Sequence, residues 1–362
     1  MPISAVDSIS PAFQHTKQQL LQPFRAGQWA RLALVGLLAG ELSSGGGCNS
    51  NFQIPTRSGG GAQHLLYGLS LPNANPALYA GLIVLLLFAG LVLWLLLVYV
   101  NSVFRFILFD SVVAKRCEIR RSWGRRQGDG WRYFVWQNVF MVVMFIGFTI
   151  LVGVPAGIGF ALGWLKEPSQ HPVPLILGGI VLFFALLVFF VVVLTVIVLT
   201  KDFVIPQMAL ENLSAMEAWR RLWPMLKAEK GGYAGYIGMK IVMALGAAMV
   251  VGIVATIVIF IMLIPVGGFG AIAVLAGKAA GLKWDVYTIT LAVVVGSILV
   301  AVIVYAVALV SVPAVVFFPA YSLYFFAARY PALDAILHPP PPSTLPAAPE
   351  IPPEPPPFPA NA

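Results

Sequence analysis

Five long stretches of apolar residues, almost free of ionisable side chains, dominate this chain. They cover residues 79–100, 134–165, 175–200, 236–266 and 286–318. Their one ionisable residue is Lys240, near the start of the fourth stretch. About 20 apolar residues suffice for a helix to cross the hydrocarbon core of a bilayer. The pattern therefore predicts an all-α fold, a polytopic bundle of transmembrane helices.

A shorter apolar stretch, residues 29–40, precedes these five and contains Arg31. Its length fits a short span, a re-entrant segment or a helix on the membrane surface. Residues 1–28 mix apolar and charged side chains, which favours an amphipathic cytoplasmic segment over a signal peptide. We expect about six spans if residues 29–40 cross the membrane, and five if they do not. The membrane domain then covers residues 29–338.

Basic residues are concentrated in two connecting loops, residues 101–133 and 201–235. Because loops rich in Lys and Arg stay in the cytoplasm, six spans place both termini on the cytoplasmic side of a bacterial inner membrane. The net charge is +8, with 59% hydrophobic and 10% charged residues. This composition excludes a soluble globular domain, and topology explains the basic residues without a nucleic-acid partner.

The two basic loops share a pattern at an offset of roughly a hundred residues, which predicts a parallel internal repeat. In each loop an aspartate, Asp110 or Asp202, precedes a basic stretch with a tryptophan, followed by glycines and aromatic residues. Tryptophans favour the boundary between lipid and water, so we expect four of them to anchor these loops there. They are Trp123, Trp131, Trp219 and Trp223.

Ser214 and Glu217 have the spacing of a capping box, which predicts that a helix begins after Ser214. Glu217 and Arg221 lie one turn apart and are expected to pair. Pro224 is expected to kink or end the helix. Ala215, Ala218, Trp219, Leu222 and Trp223 fall on one face of the helix. That face either lies in the cytoplasmic membrane interface or packs against the spans.

Arginines of both basic loops are candidate contacts for anionic lipid headgroups, because each basic residue near a charged leaflet contributes about 1 kcal/mol. The candidates are Arg120, Arg121, Arg125, Arg126, Arg220 and Arg221. Topology alone also accounts for these residues. Asp110 and Asp202 lie at span ends near Arg105 and Lys201, so we expect salt bridges there, with a proton site or a catalytic pair as the alternative.

Small residues recur at four-residue spacing in two spans, which favours close packing of helices. They are Gly153, Gly157, Gly159, Gly163, Ala244, Ala248 and Gly252. Packing inside the bundle is the first expectation, and a homo-oligomer is the alternative.

The sequence contains none of the enzyme motifs HExxH, GxSxG or GxxxxGK[ST], so we expect neither catalysis nor a cofactor. The histidines are too dispersed to predict a metal site. Residues 339–362 are rich in proline, which favours a disordered tail that acts as a spacer or binds a protein partner.

Short motifs follow one another in a definite order between residues 9 and 333. They are Ile9-Ser10-Pro11-Ala12, Pro23-Phe24-Arg25, Trp29, Leu32, Trp131-Arg132-Tyr133-Phe134, Asp202-Phe203-Val204-Ile205-Pro206, Ser214, Glu217-Ala218-Trp219 and Arg329-Tyr330-Pro331. In this order they resemble uncharacterised bacterial multi-pass membrane proteins, similar to the membrane domain found beside some glycerophosphodiester phosphodiesterases. The resemblance implies a helical membrane bundle. It implies no activity, since the sequence holds no such catalytic domain.

These observations predict a non-enzymatic membrane protein that organises or handles lipid through basic cytoplasmic helices. The alternatives are a transporter or permease for a neutral or lipidic solute, and a scaffold that recruits partners through its tail. A polar cavity in the middle of the membrane would favour transport.

Overall fold

The computed structural model describes residues 4–41, 76–166, 169–279, 281 and 286–338, and the ordered elements among these residues are helices. The proline-rich tail predicted at residues 339–362 lies outside the described residues. The helices are α1 (Ile9–Leu21), α2 (Ala26–Leu38), α3 (Pro76–Val113), α4 (Ile119–Ala161), α5 (Pro172–Leu199), a π-helical turn (Thr200–Val204), α6 (Ile205–Glu211), α7 (Ala215–Ala228), α8 (Lys230–Ala279), α9 (Val286–Ala327) and α10 (Pro331–Leu337).

Within the described residues, five helical segments have the length and apolar composition needed to cross a membrane, which confirms the predicted helical membrane protein. They are longer than the apolar stretches that predicted them. The helix α4, for example, has 43 residues and a length of about 65 Å, against a hydrocarbon core of about 30 Å. Much of the predicted loop 101–133 is therefore helical, because α3 and α4 continue beyond their apolar parts.

The stretch at residues 29–40 forms α2, whose 13 residues extend only about 20 Å. Its residues Leu32, Ala33 and Val35 are buried, and the helix packs against α9 and α3. This helix lacks the length of a straight crossing. The described residues thus contain five helices of spanning length, and whether the chain at residues 29–40 crosses the membrane stays a prediction.

Most of the packing is concentrated at one end of the bundle, which we call the packed end and define as residues 5–41, 99–137, 199–240 and 305–338. The core of buried residues lies there. The helix α1 joins two long helices at this end, since His15 contacts the carbonyl of Val112 in α3 and the hydroxyl of Tyr324 in α9. The N-terminal helix and the C-terminal ends of α3 and α9 are thus on the same side.

The centre of the packed end is a cluster of aromatic rings around Phe203. Its ring lies 5.3 Å from that of Tyr233, 5.1 Å from that of Tyr236 and 5.1 Å from that of Phe326, between ring centroids. Phe203 belongs to the π-helical turn. Pro206, just after that turn, has no N–H to donate to the carbonyl of Asp202, which accounts for the irregular helix here.

The remaining parts of the five long helices, which we call the apolar arms, are residues 81–98, 138–161, 173–198, 241–265 and 287–304. No residue in the most apolar window of α3, α4 or α5 is buried. The helix α5 buries Leu199 alone, at the end that enters the packed end. The arms of the described chain therefore leave most of their side chains exposed, with local contacts such as that between the rings of Phe148 in α4 and Phe189 in α5.

Candidate functional site

Arg126 ties three helices together at the packed end. Its guanidinium donates to both oxygens of Asp110 at 2.7 and 3.0 Å, to Asp129 at 3.0 Å and to the carbonyl of Ala209 at 2.7 Å. The side chain is only 13% exposed. Arg125 also donates to Asp110, at 2.8 Å, but stays largely exposed. Arg126 thus makes its hydrogen bonds within the protein, unlike the other candidate lipid contacts.

The other predicted lipid contacts are on the surface. Arg121 is 82% exposed and lies 3.8 Å from Glu118, while Arg120 and Arg220 are also exposed. Arg221 pairs with Glu211 instead of the expected Glu217. We call Arg120, Arg121, Arg125 and Arg220 the exposed arginines. Their contact with lipid stays a prediction.

The capping box at the start of α7 is confirmed. The Glu217 N–H donates to the Ser214 hydroxyl at 3.3 Å, and the Ser214 N–H donates to the Glu217 carboxylate at 3.0 Å. Hydrogen bonds from Ser214 hold the pKa of the Glu217 carboxyl below its usual range. The helix continues through Pro224 to Ala228, so it does not end at this proline, and the alternative of a kink stays a prediction.

The apolar face of α7 divides between the two predicted uses. Ala215, Ala218 and Leu222 are buried in the core of the packed end. Trp223, by contrast, is 56% exposed. The helix therefore packs against the protein along one strip, and Trp223 extends outward beside it.

The tryptophans predicted as interfacial anchors fall into two groups. Trp123 is half-buried against the rings of Tyr99 and Phe104, and Trp219 is half-buried against the core. Trp131, like Trp223, is 56% exposed. Only the exposed pair has the ring area free for an interface.

The small residues expected to pack helices face mostly open space. A Cβ added at Gly153, Gly157, Gly163 or Gly252 would meet no atom of a neighbouring residue within 4 Å. At Gly159 it would meet only Leu165, just beyond the end of the same helix. Ala244 and Ala248 are half-buried in α8.

Close helix packing occurs instead at two glycines that the spacing pattern missed. A Cβ on Gly130 of α4 would lie 2.5 Å from the side chain of Val103 in α3. A Cβ on Gly36 of α2 would lie 2.6 Å from Val315 in α9. Gly130 has no second small residue at the four-residue spacing, so that signal did not exist for it, whereas Gly36 and Gly40 have this spacing but were not selected.

Asp202 and Lys201 form two separate ion pairs within the packed end. Asp202 accepts hydrogen bonds from the Tyr236 hydroxyl at 2.9 Å and from Lys240 at 2.5 Å. Lys201 pairs with Glu41 at 2.5 Å. Salt bridges at the span ends were expected, but with different partners. No local sequence pattern around Glu41 or Lys240 predicts the residue with which it pairs.

His15 is a buried polar residue that the sequence reasoning did not select. A carbonyl oxygen only accepts, so Nε2 must donate to Val112 at 2.9 Å, and Nδ1 accepts from the Tyr324 hydroxyl at 3.2 Å. Burial lowers the pKa of His15 below its usual value. The neutral imidazole therefore satisfies both contacts.

A further ion pair connects the end of α9 to the junction of α7 and α8. The guanidinium of Arg329 donates twice to Glu229, at 2.6 and 2.7 Å. These bonds lower the pKa of the Glu229 carboxyl. The part of the chain that the structure describes contains no cluster of His, Cys, Asp or Glu able to hold a metal ion.

Comparison with known proteins identifies a family but no activity. The sequence matches the family described as "Family of unknown function (DUF7544)" over residues 3–336. The curated proteins and the solved structures gave no match. The match therefore agrees with an uncharacterised family and supplies no link to glycerophosphodiester phosphodiesterases. Since the match covers nearly the whole chain, this protein belongs to the DUF7544 family.

Proposed function

We propose that this protein is a non-enzymatic membrane protein of a bacterial inner membrane, where it organises or handles lipid, with the packed end on the cytoplasmic side. The observation that carries the proposal is the exposure of the apolar arms. Lipid tails are as apolar as leucine, so the arms gain little by packing on one another and leave room for lipid between them.

The polar groups of the arms support lipid contact more than a solute path. Thr149, Thr195 and Thr256 each donate to the carbonyl four residues earlier in their own helix. Hydroxyls engaged in this way present no donor to a polar solute at these positions. A transporter for a neutral or lipidic solute stays the alternative.

The exposed arginines supply the second half of the proposal. They lie at the packed end, as do the exposed Trp131 and Trp223. Basic residues near an anionic leaflet contribute about 1 kcal/mol each, and tryptophan rings favour the headgroup region. Arg126 is excluded from this role because its guanidinium binds Asp110, Asp129 and Ala209.

The test replaces Arg120, Arg121 and Arg125 by Gln while Arg126 stays intact. Protein released gently from its own membrane is analysed by native mass spectrometry, which measures the ratio of anionic to zwitterionic lipid retained. We expect the ratio to fall at least fivefold. This is less than three basic residues would give if each contributed its full value of about 1 kcal/mol. Lys166→Gln, an exposed change at the opposite end of α4, is the control and should leave the ratio unchanged.

Equal ratios in the triple variant and the wild type would contradict the lipid proposal. Flux of a solute in proteoliposomes would then favour the transporter. A co-purified protein that is lost when residues 339–362 are removed would favour the scaffold.

A further inference from the structure

A small cavity at the packed end is lined by an unusual number of charged side chains. Its volume is about 40 Å³, room for about three water molecules. The charged residues of its lining are Glu41, Arg105, Lys201, Asp202 and Lys240. They come from distant parts of the sequence and meet where α3, α8, α9 and the π-helical turn converge.

The charges of this lining do not balance. Its formal charge is +1, because three cations face two carboxylates. Asp202 pairs with Lys240 and Glu41 pairs with Lys201. The remaining cation is Arg105, and within the described residues no carboxylate lies within 4 Å of it.

Arg105 also has unused hydrogen-bonding capacity. Its Nη1 donates to the Tyr133 hydroxyl at 3.0 Å. Its buried Nε has no hydrogen-bond partner. A buried donor without a partner is destabilising, and more so in a charged group. A bound anion would supply both the missing acceptor and the missing negative charge. The planar guanidinium matches phosphate oxygens in particular, because it donates in a fixed fork.

The position of Arg105 decides which phosphate is the better fit. Arg105 lies in α3 just beyond the apolar arm 81–98, where Leu97 is 53% exposed. A molecule with a phosphate at Arg105 and apolar chains along the arm has the chemistry of a phospholipid. We propose that this cavity binds one phosphate group, that of a membrane phospholipid whose acyl chains lie along the apolar arms.

This inference rests on the proposed function for the presence of lipid between the arms, but it assigns a single internal site rather than a surface preference. The two proposals therefore fail separately. Loss of the surface preference with one phospholipid still retained through Arg105 would remove the first and keep the second. The converse result would remove only the second.

The test uses the full chain, stripped of lipid in mild detergent and then supplied with phosphatidylglycerol or with diacylglycerol of the same acyl chains. Native mass spectrometry counts the bound molecules in the wild type, Arg105→Gln, Arg105→Lys and the exposed control Lys166→Gln. We expect one phosphatidylglycerol per chain in the wild type and the control, at least tenfold lower occupancy in Arg105→Gln, and partial recovery in Arg105→Lys.

The comparison of diacylglycerol with phosphatidylglycerol separates the contribution of the phosphate to binding from that of the acyl chains. It needs only the wild type, so the inference stays testable even if Arg105→Gln does not fold. Equal retention of diacylglycerol and phosphatidylglycerol would overturn the phosphate assignment. Equal retention of phosphatidylglycerol by a folded Arg105→Gln would overturn the role of Arg105.

Inorganic phosphate distinguishes a lipid from a free anion. If it raises the melting temperature of the wild type but not of Arg105→Gln, while no phospholipid is retained, the phosphate site holds and its ligand is the free anion. No retained phospholipid together with no shift by phosphate would overturn the inference.

Discussion

The packed end and the apolar arms are parts of the same helices, yet they are held in different ways. The packed end combines stacked aromatic rings with ion pairs such as Arg126 with Asp110 and Arg329 with Glu229. The arms are more uniformly apolar and have almost no buried residues. Hydrophobicity inserts a helix into a bilayer, but it does not bring two inserted helices together. The arrangement of the helices relative to one another is therefore determined by the packed end, where the polar and aromatic residues lie.

The largest expected effect is the loss of a ring from the centre of the packed end. Phe203→Ala removes a fully buried side chain that contacts several aromatic rings, and Phe→Ala changes in cores cost about 3–5 kcal/mol. Phe145→Ala in the arm of α4 is the matched control, since Phe145 is 70% exposed and should change stability by about 0.5 kcal/mol at most. Thermal unfolding of both variants in one detergent measures the difference. Equal losses would mean that the arms are packed in the assembled protein.

A smaller effect, of opposite sign in the two regions, is expected for glycine substitutions. Gly130→Ala places a methyl 2.5 Å from the Val103 side chain and 3.1 Å from its Cα, and such overpacking costs about 1–3 kcal/mol. Gly157→Ala meets no neighbour within 4 Å and should stabilise its helix by up to about 1 kcal/mol. Unfolding midpoints compare the two. A destabilised Gly157→Ala would indicate that this glycine contacts a second copy of the chain.

The smallest effect is a pH dependence confined to the packed end. Because the pKa of folded His15 lies below the unfolded value of 6.5, its contribution to stability is complete above pH 6.5 and is lost as the pH falls below it. The slope from this one group is at most about 1.4 kcal/mol per pH unit. Burial is the main cause, and Lys115 adds to it.

The measurement is the unfolding midpoint of the wild type and His15→Gln between pH 7.5 and 5, values chosen to bracket the titration. The His15→Gln variant should lose part of the acid sensitivity, and the exposed control His338→Gln should retain it. Identical pH profiles for the wild type and His15→Gln would show that His15 does not titrate between the folded and unfolded states.

The sequence predicted the membrane helices because a long apolar stretch in a bilayer must satisfy its own backbone hydrogen bonds, and a helix does so. It also predicted α7, because Ser214 and Glu217 form their capping box within four consecutive residues. The basic loop 101–133 was misjudged, since charge indicates solvent but does not end a helix. The helix α4 begins at Ile119 and includes the arginines at its start.

Partner choice was the part that the sequence could not supply. Glu41 pairs with Lys201 and Arg329 with Glu229 across long stretches of chain, so the pairing depends on how the helices meet. The spacing of Gly153 and Gly157 suggested a contact because such spacing permits one. Such spacing does not by itself place a neighbouring helix there. The close approach at Gly130 shows that a single glycine facing a neighbouring helix is sufficient for close packing.

The contacts between the first and last long elements have a consequence for synthesis in the cell. The Tyr321 hydroxyl of α9 donates to the carbonyl of Ala5 at 3.1 Å, a bond between residues 316 positions apart. The Tyr305 hydroxyl donates in the same way to Ala30 in α2. A chain is made from its N-terminus, so α1 and α2 must wait for α9 before they acquire these bonds. The packed end is completed last, and a chain truncated before α9 leaves its own N-terminal helices without their partner.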